Sequence, residues 1–578
     1  MIILGLSFDY HDAAAALLVD GQVIFAAEEE RYSRLKHDQR LPKLAVQAAL
    51  AHAGLRMDQV DAVVFYEQPM LKFGRIFKSA HGLSHGDAYL KDTLAYWLKK
   101  GKFSVAARIA DELDIAVDRI HFVTHHQSHA ASTFFSSGFD EATIVTIDGI
   151  GEYETASISI GKGSGITQLD AMRYPNSIGL FYSAMTAFLG FEVNEGEYKV
   201  MGMAGFGQPI HYDKIRKLVF DDSGAIHLDQ RYFNFVAPEA APYTAALSEL
   251  LGPPRQAESD FDPNDGAEVG TASRAYADIA ASVQKVAEDT IVAYAKTAIE
   301  KTGVRALAMA GGVALNSLAN GRIQRELGIP LYVHPSPGDA GGALGAALFH
   351  HCVTLGLARP QPLTNALLGS RYSQEDVLAA LAKAGIQQFE TFTDDNAYCE
   401  RVANILAQGK VIGWFQGRFE WGPRALGARS ILANPTLPDM KKTINEKIKF
   451  RELFRPFAPA VLAERAADYF DIPDQHSRLT PEHFMLSVCR VHADKAQVIP
   501  AVTHVDGTAR VQVVSAGDSM FRRLIERFFT VTGIPVVLNT SFNRRGEPIV
   551  ATPGDALQTF FYSGLDCLAM ENVIVWKT

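Results

Sequence analysis

The histidine-rich segment of residues 121–130, HFVTHHQSHA, constrains this chain more than any other stretch. Its first residues predict a short strand and the rest predict a helix, on which positions i and i+4 share one face. His125 and His129 can therefore point two imidazoles at one place. A strand over residues 142–147 then delivers Asp148, nineteen residues after His129. Two imidazoles and a carboxylate predict a divalent-metal site, with satisfied core histidines and a turn aspartate as the alternative.

Length, composition and charge limit the classes of protein that fit. A chain of 578 residues is too long for one core, and its length predicts about four globular units. Hydrophobic residues make up 48% and charged residues 21%, as in ordinary soluble enzymes. The net charge is −10, whereas proteins that bind a phosphate backbone usually carry an excess of basic residues. We therefore expect no nucleic-acid partner.

Cysteine usage and hydropathy suggest a compartment. The four cysteines are isolated and form no C-x-x-C pair, which is typical of a reducing environment. The first residues reach Asp9 and His11 without the basic segment of a signal peptide, and no run of about 18 uncharged apolar residues occurs. We therefore expect a cytoplasmic protein with no membrane partner.

The first strands predict a hairpin whose polar loop carries candidate catalytic groups. Residues 2–7 and 13–19 read as strands, and Asp20-Gly21 predicts a tight turn into a third. Between the first two lies the loop that contains His11, the place of phosphate contacts in the actin and hexokinase superfamily by analogy of fold. Lys36 follows in a mixed charge run, which is either a solvated face or the source of a lysine for a phosphate or an oxyanion.

Glycines after predicted strands offer backbone N–H groups to a nucleotide, although turn geometry alone would also explain them. The candidate nucleotide-binding residues are Gly149, Glu197, Lys199, Gly311, Gly312 and Asn316. Asp339 opens a further glycine-rich helix after a predicted strand. It is either the N-cap of that helix or a fourth metal ligand that completes a set of two histidines and two aspartates.

Positive charge clusters in the second half, beyond a predicted linker at residues 360–365. Three arginines within twelve residues, spaced by glycines, would repel one another unless they shared an anion, and guanidinium groups suit phosphate and carboxylate. Salt bridges and solvated lysines are the alternative. Asn and Ser at the end of a later strand can read a small planar amide such as a carbamoyl group. The candidate residues are Arg418, Arg424, Arg429, Lys449, Arg451, Arg455, Arg510, Asn539, Ser541 and Asn543.

These stretches together resemble the carbamoyltransferase family that decorates antibiotics and nodulation factors. The resemblance rests on HDAAAALLVDG, EEERYSRLKH, HHQSHA, TIDGIGE, EGEYKVMGMAGFG, GGVALN and PGDAGGALGAA, in this order. It implies an α/β protein with two domains. Residues 1–358 would form an actin/hexokinase-superfamily domain similar to the tRNA threonylcarbamoyladenosine transferase, and residues 366–578 would form a YrdC-like domain that binds carbamoyl phosphate and ATP.

The resemblance also implies roles for single residues. An iron-type divalent metal would be held by His125, His129, Asp148 and Asp339. His11 and Lys36 would serve the transfer step, and Gly311, Gly312 and Asn316 would lie by the adenine nucleotide.

We therefore expect an ATP-dependent O-carbamoyltransferase that forms carbamoyl adenylate and passes the carbamoyl group to a hydroxyl of a small molecule, a natural product. ATP, carbamoyl phosphate, Fe²⁺ or a similar metal and Mg²⁺ would be its co-substrates and cofactors. A tRNA threonylcarbamoyl-type transferase, an actin-superfamily sugar kinase and a non-enzymatic ATP-binding regulator are the alternatives. The acceptor carries no sequence signature, and a homodimer is left open.

Overall fold

The computed structural model describes residues 1–81, 86–221, 225–235, 240–257, 259, 261, 272–452, 454–473, 478–517 and 519–577. The chain divides into two compact units. The first comprises Met1–Ile24 and Gln39–Leu363, and the second comprises Phe25–Asp38 and Thr364–Thr578. The expectation of about four units was wrong, because two sheets share the first unit. Residues 25–38 group with the second unit, whereas the boundaries drawn from the sequence placed them in the first domain.

The first sheet of unit 1 has the order β3-β2-β1-β4-β5. Strand β1 pairs antiparallel with β2 and parallel with β4, which pairs parallel with β5. Both strands of the predicted hairpin are present, and Asp20 and Gly21 adopt the positive φ angles of a tight turn. The strands are β1 Ile2–Ser7, β2 Ala14–Val19, β3 Gln22–Glu28, β4 Ala62–Phe65 and β5 Ile120–Phe122.

The second sheet repeats this order. It runs β10-β9-β6-β7-β8, with β6 antiparallel to β7 and parallel to β9, so its middle strand takes the place that β1 has in the first sheet. Strands β7 and β8 pair antiparallel, and β9 and β10 pair parallel. The strands are β6 Glu141–Ile147, β7 Glu154–Lys162, β8 Gly165–Arg173, β9 Leu307–Ala310 and β10 Leu331–Val333.

Thirteen α-helices precede residue 350 in the described chain, the first of them in the segment that groups with unit 2. They are α1 Glu30–Ser33, α2 Lys43–Ala53, α3 Pro69–Ala80, α4 Gly86–Lys99, α5 Val105–Leu113, α6 His125–Ser136, α7 Ile178–Phe188, α8 Glu197–Ala204, α9 Tyr212–Val219, α10 Ala245–Leu251, α11 Ala272–Thr302, α12 Ser317–Leu327 and α13 Asp339–Phe349. Short 3₁₀ helices cover Met57–Gln59, Val117–Arg119 and Gly312–Leu315, and a π-helix covers His350–Thr354.

Helix α13 packs closely against both strand β1 and helix α6, which explains its run of glycine and alanine. A Cβ on Gly5 of β1 would lie 1.9 Å from the Ala343 carbonyl oxygen. On the other side, a Cβ on Gly345 would lie 1.8 Å from the carbonyl oxygen of Ser128 in α6. Only glycine permits backbones to approach this closely. The small residues of α13 are therefore required by packing.

Unit 2 is built on an eight-stranded mixed sheet, β11-β20-β19-β12-β13-β18-β14-β17, beside a two-stranded sheet of β15 and β16. Buried side chains form a core on each face, one under α14 and α19 and the other under α15 and α18. The strands are β11 Phe389–Thr391, β12 Ile412–Phe415, β13 Arg429–Ala433, β14 Ala458–Leu462, β15 Val488–Arg490, β16 Thr508–Arg510, β17 Gln512–Val514, β18 Val536–Ser541, β19 Cys567–Met570 and β20 Val573–Trp576.

The helices of unit 2 beyond α1 are α14 Gln374–Lys383, α15 Asp395–Ala407, α16 Met440–Ile444, α17 Ala493–Ala496, α18 Met520–Thr532 and α19 Pro553–Phe561. A π-helix covers Asn445–Lys449, and 3₁₀ helices cover Ala463–Asp468, Pro481–Phe484 and Pro500–Val502. The described elements confirm an α/β protein of mixed sheets. Among the described residues no helix combines the length and the apolar character that a membrane crossing needs.

The close approach of α6 and α13 gives a first testable expectation. Gly345→Ala places a methyl group against the Ser128 carbonyl and should lower the free energy of unfolding by about 1–3 kcal/mol, because the obstructing atoms are backbone of a packed helix and cannot rotate aside. Chemical denaturation measures the change. Gly338→Ala is the control, since nothing lies within 4 Å of a Cβ at that position. Equal stability of the two variants would contradict the packing argument.

Candidate metal centre and anion site

The four predicted metal ligands converge in unit 1. His125 and His129 lie one turn apart on α6, Asp148 follows strand β6, and Asp339 opens α13. One ligand atom from each lies within 4.8 Å of all the others. The His129 Nε2 is 2.9 Å from Asp148 Oδ2 and 3.1 Å from His125 Nε2, and both Nε2 atoms are 3.7 Å from Asp339 Oδ1.

The electrostatics of the four residues suit a cation. Burial alone would lower the pKa of His129, but hydrogen bonds to Asp148 and Asp339 raise it to about 9. Burial alone would raise the pKa of Asp148, but hydrogen bonds from both histidines lower it well below its usual range. Two imidazole nitrogens and two carboxylates that meet in a buried space are the donor set of a first-row divalent metal. The residues therefore fit the metal that the sequence predicts.

Neighbouring side chains hold the ligands in place. Both carboxylate oxygens of Glu152 accept from the His125 backbone N–H at 3.0 and 3.2 Å, which satisfies the first N–H group of α6. The third histidine, His126, hydrogen-bonds to Thr146 Oγ1 at 2.6 Å and to the Glu154 carbonyl at 3.0 Å. Burial lowers the pKa of His126 to about 3, so it stays neutral and ties α6 to strands β6 and β7. Sequence reasoning did not single out Glu152, which lies beside the glycine turn after Asp148.

The glycines beside Asp148 allow the backbone around it to pack closely. The Gly149 N–H donates to Asp148 Oδ1 at 2.7 Å, and a Cβ on Gly312 would lie 3.2 Å from the same oxygen. Gly311 has a φ of 94°, and a Cβ there would lie 2.2 Å from the Ile147 carbonyl oxygen. The ends of β6 and β9 therefore approach closely because both glycines lack a side chain. A nucleotide contact at these three glycines stays a prediction.

The other predicted nucleotide residues have internal partners. Asn316 accepts from the Ala319 N–H at 3.1 Å as the N-cap of α12, and it exchanges amide hydrogen bonds with Gln284. Glu197 accepts from Ser183 Oγ at 3.0 Å. Lys199 is buried, with its Nζ 5.6 Å from the centre of the Phe191 ring. Their roles as nucleotide ligands also stay predictions.

The two predicted transfer residues belong to different units. His11 lies in the loop between β1 and β2, with Nδ1 2.9 Å from Asp12 Oδ2. Burial alone would lower its pKa, but the bond to Asp12 and the charge of the metal-site carboxylate Asp339 raise it to about 9. His11 therefore lies within electrostatic reach of the metal centre. Lys36 follows α1 in unit 2 and is half-buried.

Asp9, in the same loop as His11, has a different environment. Its two carboxylate oxygens accept from Arg108 at 2.9 and 3.0 Å, and Lys102 Nζ donates to its backbone carbonyl at 2.8 Å. Its charge is therefore neutralised by arginine.

Unit 2 brings several of the predicted cationic residues together. Burial lowers the pKa of Arg510 well below its usual range, and three neighbouring guanidinium groups lower it further. These belong to Arg424, Arg451 and Arg455. Burial and two of the same arginines, Arg451 and Arg455, lower the pKa of Lys449 as well. We name these five residues the cationic cluster. Arg455 lies 3.6 Å from the Glu452 carboxylate, so one carboxylate accompanies the five cations. Like charges this close together favour a bound anion.

Polar residues of strand β18 and the segment after it border the cationic cluster. Lys449 Nζ donates to Asn543 Oδ1 at 2.8 Å and to Ser541 Oγ at 3.2 Å. Asn539 donates to the Ala425 carbonyl at 3.1 Å and to Gln512 Oε1 at 2.7 Å, while its buried Oδ1 has no partner in the described chain. The predicted amide-reading residues are thus adjacent to the predicted anion-binding residues.

Two of the arginines grouped with this cluster in the sequence have other partners. The buried Arg429 donates to the carbonyls of Gln416, Ala428 and Gly417, and its guanidinium carbon lies 3.5 Å from the centre of the Phe415 ring. Arg418 donates to the Gly369 carbonyl at 2.9 Å and also to that of Leu368. Both guanidinium groups donate to backbone carbonyls, and anion binding by them stays a prediction.

Glu420 organises the loop between these arginines. Its Oε1 accepts from three backbone N–H groups at 2.7 to 3.0 Å, those of Leu426, Ala428 and Arg429. The carboxylate is fully buried. Sequence reasoning passed over it, because an acid beside three arginines reads as a salt-bridge partner and no local pattern distinguishes an acceptor of backbone N–H groups.

Known proteins similar to this chain match it over nearly its whole length. The family model "Carbamoyltransferase N-terminus" matches residues 2–348, and "Carbamoyltransferase C-terminus" matches residues 403–577. The chain is 39% identical to "Uncharacterized protein sll1178" of Synechocystis sp., across 100% of this chain and 97% of that protein. It is 35% identical to "Nodulation protein NolNO" of Sinorhizobium fredii, across 98% of this chain and 79% of that protein.

Among solved structures, HypF of T. kodakarensis has 14% sequence identity and a TM-score of 0.30, and the match covers 62% of this chain and 48% of that one. A TM-score this low carries no argument about fold or function.

The metal centre gives a second testable expectation. Protein reconstituted anaerobically should bind about one equivalent of Fe²⁺ or Mn²⁺, and His129→Ala should weaken that affinity by more than about 100-fold, since it removes a ligand and leaves buried carboxylates uncompensated. Elemental analysis and competition with a chelator measure both. His227→Ala, an exposed histidine, is the control. Unchanged metal content in His129→Ala would contradict the assignment.

Proposed function

The chain belongs to the carbamoyltransferase family, and on that premise we propose that it is an ATP-dependent O-carbamoyltransferase that acts on a hydroxyl of a small molecule. The observation that carries the proposal is the cationic cluster of unit 2, in which burial and neighbouring arginines lower the pKa of Arg510 and of Lys449. Such a site favours a multiply charged anion that fills it, and carbamoyl phosphate with the triphosphate of ATP fits this requirement.

The first half-reaction is assigned to unit 2. Carbamoyl phosphate is cleaved by water to carbamate and phosphate. A carbamate oxygen then attacks the α-phosphorus of ATP, and pyrophosphate leaves to give carbamoyl adenylate. Arg424, Arg451, Arg455 and Arg510 would hold the phosphate groups, while Asn539 would hydrogen-bond to the carbamoyl amide through its unpartnered Oδ1. Mg²⁺ would screen the triphosphate.

The second half-reaction is assigned to unit 1. The acceptor hydroxyl attacks the carbamoyl carbon of the adenylate, its proton passes to a base, and AMP leaves. A divalent metal held by His125, His129, Asp148 and Asp339 would polarise the carbamoyl carbonyl as a Lewis acid. His11 is proposed as the base and Lys36 as the group that offsets developing charge. A metal that neutralised Asp339 would remove one of the charges that raise the pKa of His11. A lower pKa would favour the proposed role, because a base must be unprotonated near neutral pH.

The finer fold assignment follows the same reasoning. We propose that unit 1 has the actin/hexokinase fold, because its two sheets share one strand order around a central parallel pair. The YrdC-like assignment of unit 2 rests on the sequence resemblance. Family membership supports neither a sugar kinase nor a non-enzymatic regulator. We place this transferase activity in the cytoplasm as part of the same proposal.

The activation step can be tested without any acceptor. Protein with ATP, carbamoyl phosphate and Mg²⁺ should release pyrophosphate and form carbamoylated AMP, whereas a kinase would give ADP and a passive binder neither product. Arg510→Ala should raise the KM for carbamoyl phosphate by about 10- to 100-fold, the loss of one or two charge-assisted hydrogen bonds. Arg490→Ala, an exposed arginine of the adjacent strand β15, is the control. An unchanged KM in Arg510→Ala would contradict the proposal.

The transfer step has its own test. His11→Ala should keep the rate of pyrophosphate release, which is assigned to unit 2, and lower transfer from preformed carbamoyl adenylate by about 100-fold or more, the usual contribution of a general base. Product formation by mass spectrometry with hydroxylated metabolites measures it. Lys36→Ala, compared in the same assay, separates the base from the charge-stabilising group. Full transfer by His11→Ala would remove the base assignment.

A further inference from the structure

Helices α3 and α4 pack against each other through aromatic rings on one side. The ring of Phe73 on α3 lies 5.1 Å from that of Trp97 on α4, and Phe103 lies 4.9 Å from Phe73 and 5.2 Å from Trp97. Trp97 is buried by this contact. The three rings fix the two helices as one element, which we name the α3–α4 pair.

Large apolar side chains border this contact and remain in solvent. Met70 and Phe77 lie three residues before and four residues after Phe73, and Leu94 lies three residues before Trp97, so each shares a helix face with an aromatic ring of the contact. They are 60%, 47% and 41% exposed, and Leu98, next to Trp97, is 70% exposed. We name Met70, Phe77, Leu94 and Leu98 the apolar strip. Grouped exposed apolar side chains are typical of a surface that binds another molecule or a membrane.

Positive charge surrounds the strip in an otherwise acidic chain. Residues 69–102 carry seven basic and two acidic side chains, a formal charge of +5, while the whole chain carries −10. Lys78, Lys91, Lys99 and Lys100 are exposed. No carboxylate pairs with these four lysines in the part of the chain that the structure describes. The α3–α4 pair thus combines exposed apolar groups with lysines that no described carboxylate neutralises.

We infer that the α3–α4 pair docks on the anionic surface of a lipid membrane. Helices that place Leu, Phe and Met beside lysines bind the headgroup region, where apolar groups enter the acyl boundary and lysines meet anionic lipids. A second copy of the chain fits less well, because two-fold pairing would set +5 against +5. Nucleic acid would use the lysines and leave the leucines in water. This inference revises the expectation of no membrane partner and is independent of the proposed function.

Rigid attachment presents the surface outward. The backbone N–H of Gln68, just before α3, donates to Glu152 Oε1 at 2.7 Å, and Arg75 Nη1 donates to the Gly151 carbonyl at 2.8 Å. These bonds fix α3 to the loop that holds the metal-site helix. The exposed face therefore cannot turn inward without breaking them.

Vesicle flotation with the full chain tests the inference. Vesicles of phosphatidylcholine alone are compared with vesicles that contain about 30% phosphatidylglycerol, at low salt and at about 0.5 M salt. We expect at least about tenfold stronger partitioning onto the anionic vesicles, reduced at high salt. Lys91→Glu/Lys99→Glu/Lys100→Glu should lose that preference, and Leu94→Ser/Leu98→Ser should weaken binding to the anionic vesicles.

The matched control is Lys217→Glu/Lys296→Glu/Lys383→Glu, which changes net charge equally at exposed lysines elsewhere and should bind like the wild type. Circular dichroism and thermal unfolding establish that each variant is folded. Equal partitioning of both triple variants, or no preference of the wild type for anionic vesicles, would overturn the inference. A third result would also overturn it: the wild type forms a dimer and binds no vesicles, and Leu94→Ser/Leu98→Ser abolishes the dimer. The strip would then be a self-association surface.

Discussion

The close packing of α13 between strand β1 and helix α6 is the constraint on which unit 1 depends. A carbonyl 1.8 Å from the position of a missing Cβ leaves no room for any side chain at Gly345. That contact fixes the distance between the helix that carries His125 and His129 and the helix that begins with Asp339. The strand order then places Asp148 opposite both. Four ligand atoms meet within 4.8 Å because backbone, and not flexible side chains, sets their separation.

The two units differ in how their charged side chains are combined. In unit 1, histidines and carboxylates of opposite charge attract one another and converge, with Glu152 and His126 in supporting positions. In unit 2, guanidinium groups and Lys449 of like charge are held close together by the fold. The first arrangement stabilises itself in part. In the second, Glu452 pairs with Arg455 at 3.6 Å, and a polyanion would offset the positive charge that remains. Arg418 and Arg429 differ in that they donate to backbone carbonyls of their own surroundings.

The sequence predicted the α/β class, the hairpin and the convergence of the four ligands, because each depends on local periodicity or on strand ends. It missed what depends on pairing across the chain. The roles of Glu152 and Glu420 as acceptors of backbone N–H groups are invisible in local patterns. Sequence patterns also did not show the close approach at Gly311 and Gly312, where a Cβ would meet Ile147 and Asp148; the nucleotide contacts predicted at Gly149, Gly311 and Gly312 stay predictions. Asn316 likewise has an N-cap role that the sequence did not assign. Length suggested more units than exist, since two sheets share one body.

The repeated strand order of unit 1 places an aspartate after the middle strand of each sheet. Strand β1 holds the place in its sheet that β6 holds in the other, so Asp9, just beyond β1, is the counterpart of Asp148, just beyond β6. One carboxylate faces two imidazoles, and the other is capped by Arg108 in a bidentate pair. The two sheets therefore end their middle strands in carboxylates of opposite situation: an arginine neutralises Asp9, whereas Asp148 meets imidazoles that can release it to another cation.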